Sequence, residues 1–135
     1  MSADVDDRRT IDALVAALYD TISGPAGERD WDRFRALFIP GARLIRTDRS
    51  AGVVTPQVLD VEGFISAAAG NLAASSFYER EAARRTEQFG AVAHVFSTYE
   101  ARHAPDAEPF ARGINSIQLF ADESGWRVSS LAWDE

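Results

Sequence analysis

The second half of the chain constrains the fold more than any other feature. Four extended segments run over residues 77–89, 91–102, 110–121 and 126–133, and turn signals rich in Gly, Pro, Asp or Ser separate them. Extended segments joined by short polar turns are typical of a β-meander. The pattern therefore predicts a sheet of long antiparallel strands, although residues 82–85 fit a helix equally well.

The first half has the periodicity of helices instead. Apolar residues recur three and four positions apart over residues 11–22, 31–38 and 61–69, which is the spacing of one helix face. The second and third stretches each follow an aspartate, a favourable N-cap residue. Two short extended segments, 42–47 and 53–59, lie between them. Helices followed by a meander predict an α+β domain in which the helices cover one face of the sheet.

Composition limits the chemistry available to the chain. A length of 135 residues accommodates one domain, which we assign to residues 10–135, and the acidic, polar stretch 1–9 is predicted to be a solvated tail. The absence of cysteine and lysine excludes disulfides, thiolate metal sites and lysine Schiff-base chemistry. With two histidines and dispersed acidic residues no metal-ligand set is recognisable, and we expect neither a metal nor another cofactor.

Charge and hydropathy narrow the range of partners. A formal net charge of −7 disfavours nucleic acid, because phosphate binding needs a concentrated basic surface. No run approaches the ~20 apolar residues that cross a membrane. The N-terminus also lacks the apolar segment of a signal peptide. The expected location is therefore the cytoplasm, with no membrane partner.

One polar side chain interrupts an apolar face in the third segment of the meander. Gly113, Asn115, Ile117 and Leu119 share one face of this predicted strand. A buried amide is costly unless it is hydrogen-bonded. Asn115 therefore either has protein partners or faces a cavity in which water or a ligand satisfies it.

Three stretches resemble the nuclear transport factor 2-like superfamily. Residues 29–38 resemble its second-helix segment, in which an Asp-Trp pair precedes an amphipathic turn and a proline. Residues 42–45 resemble its first strand, and residues 125–131 resemble its closing Gly-Trp strand. The resemblance extends over residues 10–133. It implies three N-terminal helices packed on a strongly curved antiparallel sheet that forms a cone, the cystatin-like α+β barrel.

The resemblance does not select one function, because the superfamily includes ketosteroid isomerases, scytalone dehydratase, polyketide cyclases and binding modules. Asn115 occupies a place that resembles the pocket asparagine of scytalone dehydratase. The isomerases carry a basic aspartate where this sequence has Arg46, and a cation cannot be that base, which disfavours their chemistry. The resemblance also implies a homodimer that pairs through the sheet face.

Six residues are the candidate contacts to a small-molecule ligand. Tyr19, on the inner face of the first helix, would donate a hydrogen bond to an oxyanion or be an ordinary core tyrosine. Arg80 would recognise a carboxylate or belong to a solvated sheet face with cross-strand ion pairs. Trp133 would line the mouth of the cone or pack on a partner subunit. The full set is Asn115, Tyr19, Arg46, Tyr78, Arg80 and Trp133.

Three titratable residues are the candidate acid–base groups. His94 stands in an apolar run on a predicted central strand. A neutral imidazole there would transfer protons near pH 7 or be a core or interface side chain. Asp20 lies beside Tyr19, and Asp48 follows the first strand.

Three functions stay open on the sequence alone. The first is a small-molecule-binding domain whose cone holds a mostly apolar ligand. The second is a cofactor-independent lyase or isomerase that transfers protons, as dehydratases and cyclases do. The third is a non-catalytic dimeric structural or partner-binding module whose cone is filled by its own aromatic side chains. Whether the chain is an enzyme is left open, and the free volume inside the cone separates the third function from the other two.

Overall fold

The computed structural model describes residues 6–135, in which helices and strands follow the predicted order. Residues 82–85 lie within a strand, so the helical alternative is wrong. No helix in the described residues combines the length and hydropathy of a membrane span. In chain order the elements are α1 (Ile11–Ile22), α2 (Trp31–Arg35), β1 (Phe38–Asp48), β2 (Thr55–Leu59), α3 (Val61–Ala74), β3 (Tyr78–Phe89), β4 (Val92–Arg102), β5 (Ala111–Asp122) and β6 (Gly125–Asp134).

The six strands form one mixed sheet in the order β2-β1-β6-β5-β4-β3. The meander from β3 to β6 is antiparallel throughout, as predicted. The all-antiparallel expectation is wrong at one place, because β1 runs parallel to β6. The long chain between those two strands makes such a parallel crossover possible. The sheet is not closed, since β2 and β3 are its two edges, and the expected cone stays a prediction.

Two helices differ in length from the prediction, and packing explains both differences. Helix α2 ends at Arg35, because the chain from Phe38 onward pairs with β6. Helix α3 continues beyond residue 69 to Ala74. Leu72 lies two turns after Ile65 on the same helix face, and both side chains are buried. The buried leucine extends the helix through the Gly-Asn pair that was expected to end it.

The N-terminal segment, predicted to be a solvated tail, is partly packed in the structure. Residues 1–5 lie outside the described residues, whereas Asp7 and Arg8 pack on the molecule. Arg8 is 6% exposed, and its guanidinium donates to the carbonyl and hydroxyl oxygens of Ser124. The Arg8 carbonyl accepts a hydrogen bond from the Trp126 amide at 2.7 Å. Gly125 has a φ of +115° and lies so close to that carbonyl that a Cβ would come within 2.2 Å of it.

The sheet has an inner face toward the helices and an outer face away from them. Along β4, buried and more exposed residues alternate strictly. The inner positions Val95 and Ser97 are 0% exposed, whereas Phe96 between them is 45% exposed. Helix α1 packs its buried face, which includes Leu14 and Leu18, into the same core. The inner face therefore forms one continuous core with the helices.

Strand β3 carries charged residues on both faces, and its register with β4 shows which ones turn inward. Glu79 and Glu81 pair with residues on the buried face of β4. A bulge directly after Glu81 inserts one extra residue, so Arg84 also falls on the inner face. Tyr78 and Arg80 consequently point to the outer face.

Candidate functional site

A cavity of about 690 Å³ lies between the helices and the inner face of the sheet. This volume falls in the ~300–1,000 Å³ range of small-molecule sites. Much of its wall is aromatic: Phe34 stacks on Phe64, and Trp133 meets Phe64 edge-on at a centroid distance of 5.9 Å. The predicted alternative, in which aromatic side chains fill this space completely, is therefore wrong. A group of polar residues also lines the cavity, namely Tyr19, Glu79, Tyr99, Asn115 and Glu135.

Tyr19 is held at the cavity wall by a buried hydrogen-bond network. Its hydroxyl oxygen lies 2.6 Å from Ser97 Oγ and accepts a hydrogen bond from Asn115 Nδ2 at 3.1 Å. Ser97 donates to a carboxylate oxygen of Glu81 at 2.5 Å, and Arg84 Nε donates to the same carboxylate at 3.0 Å. Burial raises the pKa of Tyr19 to about 12. The tyrosine therefore keeps its proton at neutral pH.

Glu79 lines the cavity in a very different environment. No ion pair to its carboxyl group is present among residues 6–135, and Arg84, the cation on the inner face of the same strand, is paired with Glu81. Burial raises the pKa of Glu79 from 4.5 to about 7. A hydrogen bond from Asn115 opposes this shift, and the Glu135 carboxylate adds to it. Near neutral pH the carboxyl group exists in both protonation states, so it can take up or release a proton.

A second tyrosine–carboxylate pair borders Glu79. The Tyr99 hydroxyl donates to Glu135 Oε2 at 2.6 Å. Burial and this carboxylate both raise the pKa of Tyr99 above its ordinary value. Gly113 on β5 leaves the space that Tyr99 occupies, because a Cβ there would lie 2.6 Å from the Tyr99 hydroxyl. The glycine on the inner face of β5 is thus required by the position of Tyr99.

Two arginines line the solvent-exposed side of the cavity, and each has an acidic neighbour. Arg49 donates two hydrogen bonds to the Asp134 carboxylate, one of them at 2.8 Å. Arg46 lies 3.7 Å from Asp48. The Arg46 and Arg49 side chains are 50% and 54% exposed, so these ion pairs contribute only ~0–1 kcal/mol each. Both positive charges are nonetheless largely compensated before any ligand arrives.

Four of the six predicted ligand contacts line the cavity: Asn115, Tyr19, Arg46 and Trp133. The two alternatives for Asn115 are not exclusive, because its amide donates to Tyr19 and also borders the cavity. Trp133 faces the cavity from β6, directly opposite Asn115 in the register of the sheet. The roles of these four residues in binding stay predictions.

The other two predicted contacts, Tyr78 and Arg80, lie on the outer face of β3 and do not line the cavity. His94 lies on the outer face of β4, where its Nε2 is 2.9 Å from Ser116 Oγ. Strand parity is the physical reason, because one residue of displacement along a strand moves a side chain to the opposite face. A catalytic role of His94 in this cavity is therefore not supported by its position.

The two predicted acidic groups also lie away from the cavity. Asp20 is 68% exposed and accepts a hydrogen bond from Arg33 at 2.5 Å on the solvent side of α1. Asp48 accepts a hydrogen bond from the Ser50 amide at 2.8 Å. Hydrogen bonds from Ser50 keep the pKa of Asp48 below its ordinary value. Each aspartate stabilises local structure, and neither reaches the space where a ligand would lie.

Sequence reasoning missed the carboxyl groups that do line the cavity. Glu79 and Glu135, with Tyr99 beside them, were absent from the predicted set. The charged stretch of β3 carried a usable signal, since one of its two parities had to face inward. Arg80 was the predicted charged contact in this stretch, but the inward residues before the bulge are glutamates.

Metal ligands were not expected from the sequence. Within the described chain, no group of three or more His, Cys, Asp or Glu side chains is arranged to hold a metal ion. The expectations of a metal-free and cofactor-free site stay predictions.

Solved structures resemble this chain, although neither a family model nor a curated protein matches it. A nuclear transport factor 2-like protein from Pseudomonas putida KT2440 superposes with a TM-score of 0.70 at 10% identity, covering 99% of this chain and 88% of that one. A protein with a cystatin-like fold from Nostoc punctiforme PCC 73102 gives a TM-score of 0.69 at 11% identity, with 91% and 86% covered. A nuclear transport factor 2-like protein from Silicibacter pomeroyi DSS-3 gives 0.61 at 13%, with 92% and 91% covered.

These likenesses place the chain first in a structural class, the cystatin-like α+β folds. More closely, its fold is that of the nuclear transport factor 2-like superfamily, as the sequence resemblance predicted. At such low identity the likeness shows the fold alone, and function must be argued from the site.

Proposed function

We propose that the chain binds a small, mostly apolar molecule in the cavity, which forms the interior of a cone-shaped pocket. The observation that carries this proposal is a free volume of about 690 Å³ behind aromatic and aliphatic walls. Apolar walls favour an apolar ligand, since burial of its surface contributes ~25 cal/mol per Å². Tyr19, Glu79 and Asn115 supply the few polar groups that would orient it.

A ligand screen with a cavity-filling variant tests this function. Terpenoids, steroids and aromatic acids are added to the protein, and thermal unfolding is followed. A ligand at ~100 times its dissociation constant stabilises the folded state by ~2.7 kcal/mol. The substitution Ala68→Phe places a ring in the cavity from α3 and is expected to remove the shift. Ala67→Phe, on the exposed side of the same helix, is the matched control and retains it.

The proposal fails if no compound in the screen stabilises the wild-type protein. It also fails if ligand stabilises Ala68→Phe and Ala67→Phe equally, because a ligand that still binds when the cavity is filled must bind elsewhere. Unfolding of both variants without ligand establishes that each still folds.

The titration of Glu79 favours a second candidate, a cofactor-independent isomerase or lyase. A carboxyl group with a pKa of about 7 is suited to general acid–base catalysis near neutral pH. In an isomerisation of a β,γ-unsaturated ketone, Glu79 would remove the proton between the carbonyl and the alkene. It would then return the proton to the γ carbon, so that the double bond moves into conjugation.

Cyclohex-3-enone is a direct probe of this second candidate, because its conjugated product absorbs in the ultraviolet. We expect the wild-type rate to rise with pH up to about pH 7, as Glu79 loses its proton. Glu79→Gln should reduce the rate to that of the uncatalysed reaction. An equal rate in that variant would eliminate Glu79 as the base.

A second copy of the chain is the partner we propose for the outer face of the sheet. Phe96 and Phe120 are 45% and 47% exposed there, and Val92 pairs directly with Phe120 across the strands. Exposed apolar groups on one face are typical of an interaction surface. Phe120→Glu should convert a dimer to a monomer in light scattering. Val54→Glu, at an exposed residue before β2, should leave the mass unchanged.

A further inference from the structure

At one end of the cavity, the hydroxyl and amide hydrogens of Tyr19, Asn115 and Tyr99 are directed to protein acceptors. Glu81 is paired with the Arg84 guanidinium, so its carboxylate accepts hydrogen bonds and donates none. The single hydroxyl hydrogen of Ser97 is directed to Glu81. In the 2.6 Å contact between Tyr19 and Ser97, the donor must therefore be Tyr19. The tyrosine presents lone pairs, not a hydrogen, to any other neighbour.

Asn115 and Tyr99 are committed in the same way. Asn115 Nδ2 donates to the Tyr19 hydroxyl oxygen at 3.1 Å. The Asn115 side chain also lowers the pKa of Glu79, which is the effect of an amide hydrogen directed toward that carboxyl group. Tyr99 donates its hydrogen to Glu135. A ligand that reaches this end of the cavity meets carboxylate and hydroxyl oxygens whose own hydrogens point elsewhere.

The charges at this end of the cavity also favour a ligand that donates hydrogen bonds and carries a positive charge. Glu79 and Glu135 are close enough for the second carboxylate to disfavour ionisation of the first. The arginines that line the cavity, Arg46 and Arg49, each have an aspartate neighbour. A carbonyl or carboxylate ligand would meet acceptors and like charge at this end. A protonated amine supplies hydrogens and a positive charge to the end of the cavity where Glu79 and Glu135 lie.

We propose that the ligand of this cavity is an amphiphilic amine, whose ammonium group lies between Glu79 and Glu135 and whose apolar body contacts Phe34, Phe64 and Trp133. This inference rests on the proposed binding function and specifies the chemical class of the ligand. The ammonium donates to the two carboxylates and to the lone pair of Tyr19. The aromatic walls add apolar contact to the body of the ligand.

Three adamantane derivatives of nearly equal shape test the charge preference. They are 1-adamantanemethylamine, 1-adamantanemethanol and 1-adamantanecarboxylate, and their affinities are measured by isothermal calorimetry at about pH 8, where Glu79 is largely ionised. We expect the amine to bind ~10-fold or more tightly than the alcohol, and the carboxylate to bind most weakly. Tighter or equal binding of the alcohol or the carboxylate overturns the inference.

Substitution of Glu79 separates a specific ammonium site from general attraction to an acidic protein. Glu79→Gln is expected to weaken amine binding ~10-fold and to change alcohol binding less than ~2-fold. Glu87→Gln, on the outer face of the same strand, removes one negative charge far from the cavity and should leave both affinities unchanged. Equal loss of amine affinity in the two variants overturns the site.

The pH dependence of amine affinity is a further test. The groups that interact with Glu79 are Tyr19, Tyr99, Asn115 and Glu135, and the other charged residues that line the cavity are Arg46, Arg49 and Asp134. The two tyrosines keep their protons, so the change between about pH 6 and pH 8 comes from Glu79. Amine affinity should rise over this interval and alcohol affinity should not.

The failures of the two proposals are distinguishable. In one outcome the alcohol binds the wild-type protein, its binding is lost in Ala68→Phe, and the amine binds no more tightly than the alcohol. The cavity then binds ligands, and only the amine inference is wrong. If none of the three compounds binds and the wider screen also yields no shift, both are wrong.

Discussion

Glu79 and Glu81 are the same residue type, two positions apart on one face of one strand, and the fold treats them in opposite ways. Glu81 accepts hydrogen bonds from Arg84 and from Ser97. Glu79 borders the cavity without an ion pair among residues 6–135 and shares its surroundings with another carboxyl group. One glutamate therefore stabilises the fold, whereas the other is a destabilising group that lines the cavity.

This difference between Glu79 and Glu81 shows that the neighbouring elements, not the strand itself, decide the role of each side chain. The bulge after Glu81 brings Arg84 back to the inner face within reach of that carboxylate. Asp12 on α1 binds the other side of the same guanidinium. Without the bulge, the arginine would point outward and both glutamates would lack a cation.

The largest effect we expect is a gain in stability from Glu79→Gln. The folded-state pKa of Glu79 is about 7 against an ordinary 4.5, so between these pH values the folded chain binds more protons than the unfolded chain. By linkage, wild-type stability falls as pH rises through this window and then stays low. The variant avoids this loss and should be about 3 kcal/mol more stable at about pH 8.

Urea unfolding at several pH values, without ligand, measures this gain. At about pH 4 the two proteins should have nearly equal free energies of unfolding, because Glu79 is then protonated in both states. A variant that is less stable than wild type at about pH 8 would contradict the description of Glu79 as a buried, unpaired carboxylate.

The second prediction is a loss of stability rather than a gain. Glu81→Gln removes the ion pair with Arg84, and we expect a loss of about 2 kcal/mol, within the range for hydrogen bonds to charged groups. Both side chains are 22% exposed, which limits the loss below that of a fully buried pair. Unfolding at neutral pH gives the value directly. A gain like that of Glu79→Gln would mean that the two environments are equivalent.

The third prediction concerns Asn115, which lowers the pKa of Glu79 and is linked to Glu81 through Tyr19 and Ser97. Asn115→Ala removes a donor to Tyr19 and a donor to Glu79, and it should cost about 1 kcal/mol. Because the lost hydrogen bond lowers the pKa of Glu79, that pKa should rise in the variant. Carboxyl titration by NMR measures it. Asn71→Ala, at a cavity residue of α3, is the control in which the pKa should not move.

Much of the fold was predictable because it depends on patterns repeated over many residues. The period of the apolar residues in α1 and the meander from β3 to β6 agree with the sequence prediction. The parallel pairing of β1 with β6 was not predictable, because local periodicity does not contain the order of strands in a sheet. The length of α3 was missed for a related reason: Leu72 is buried by a tertiary contact.

The site was less predictable, because it depends on single residues and on strand parity. Asn115 was recognised since its own strand face is otherwise apolar. Glu79 was missed because β3 is charged on both faces, and only pairing with β4 decides which face turns inward. The bulge that admits Arg84 to the inner face has no recognisable signal in the sequence. Contacts between distant segments thus decide the chemistry.

The smallest effect is expected at the third glutamate of β3, Glu87. It lies on the outer face, opposite His94 in the register with β4, and it is exposed. Glu87→Gln should change the free energy of unfolding by less than ~0.5 kcal/mol at every pH, because neither a desolvated charge nor a buried partner is involved. Urea unfolding at two protein concentrations checks this and separates folding from pairing of subunits. A pH-dependent gain at both concentrations would place Glu87 in a buried environment like that of Glu79, and the assignment of inner and outer faces along β3 would be wrong.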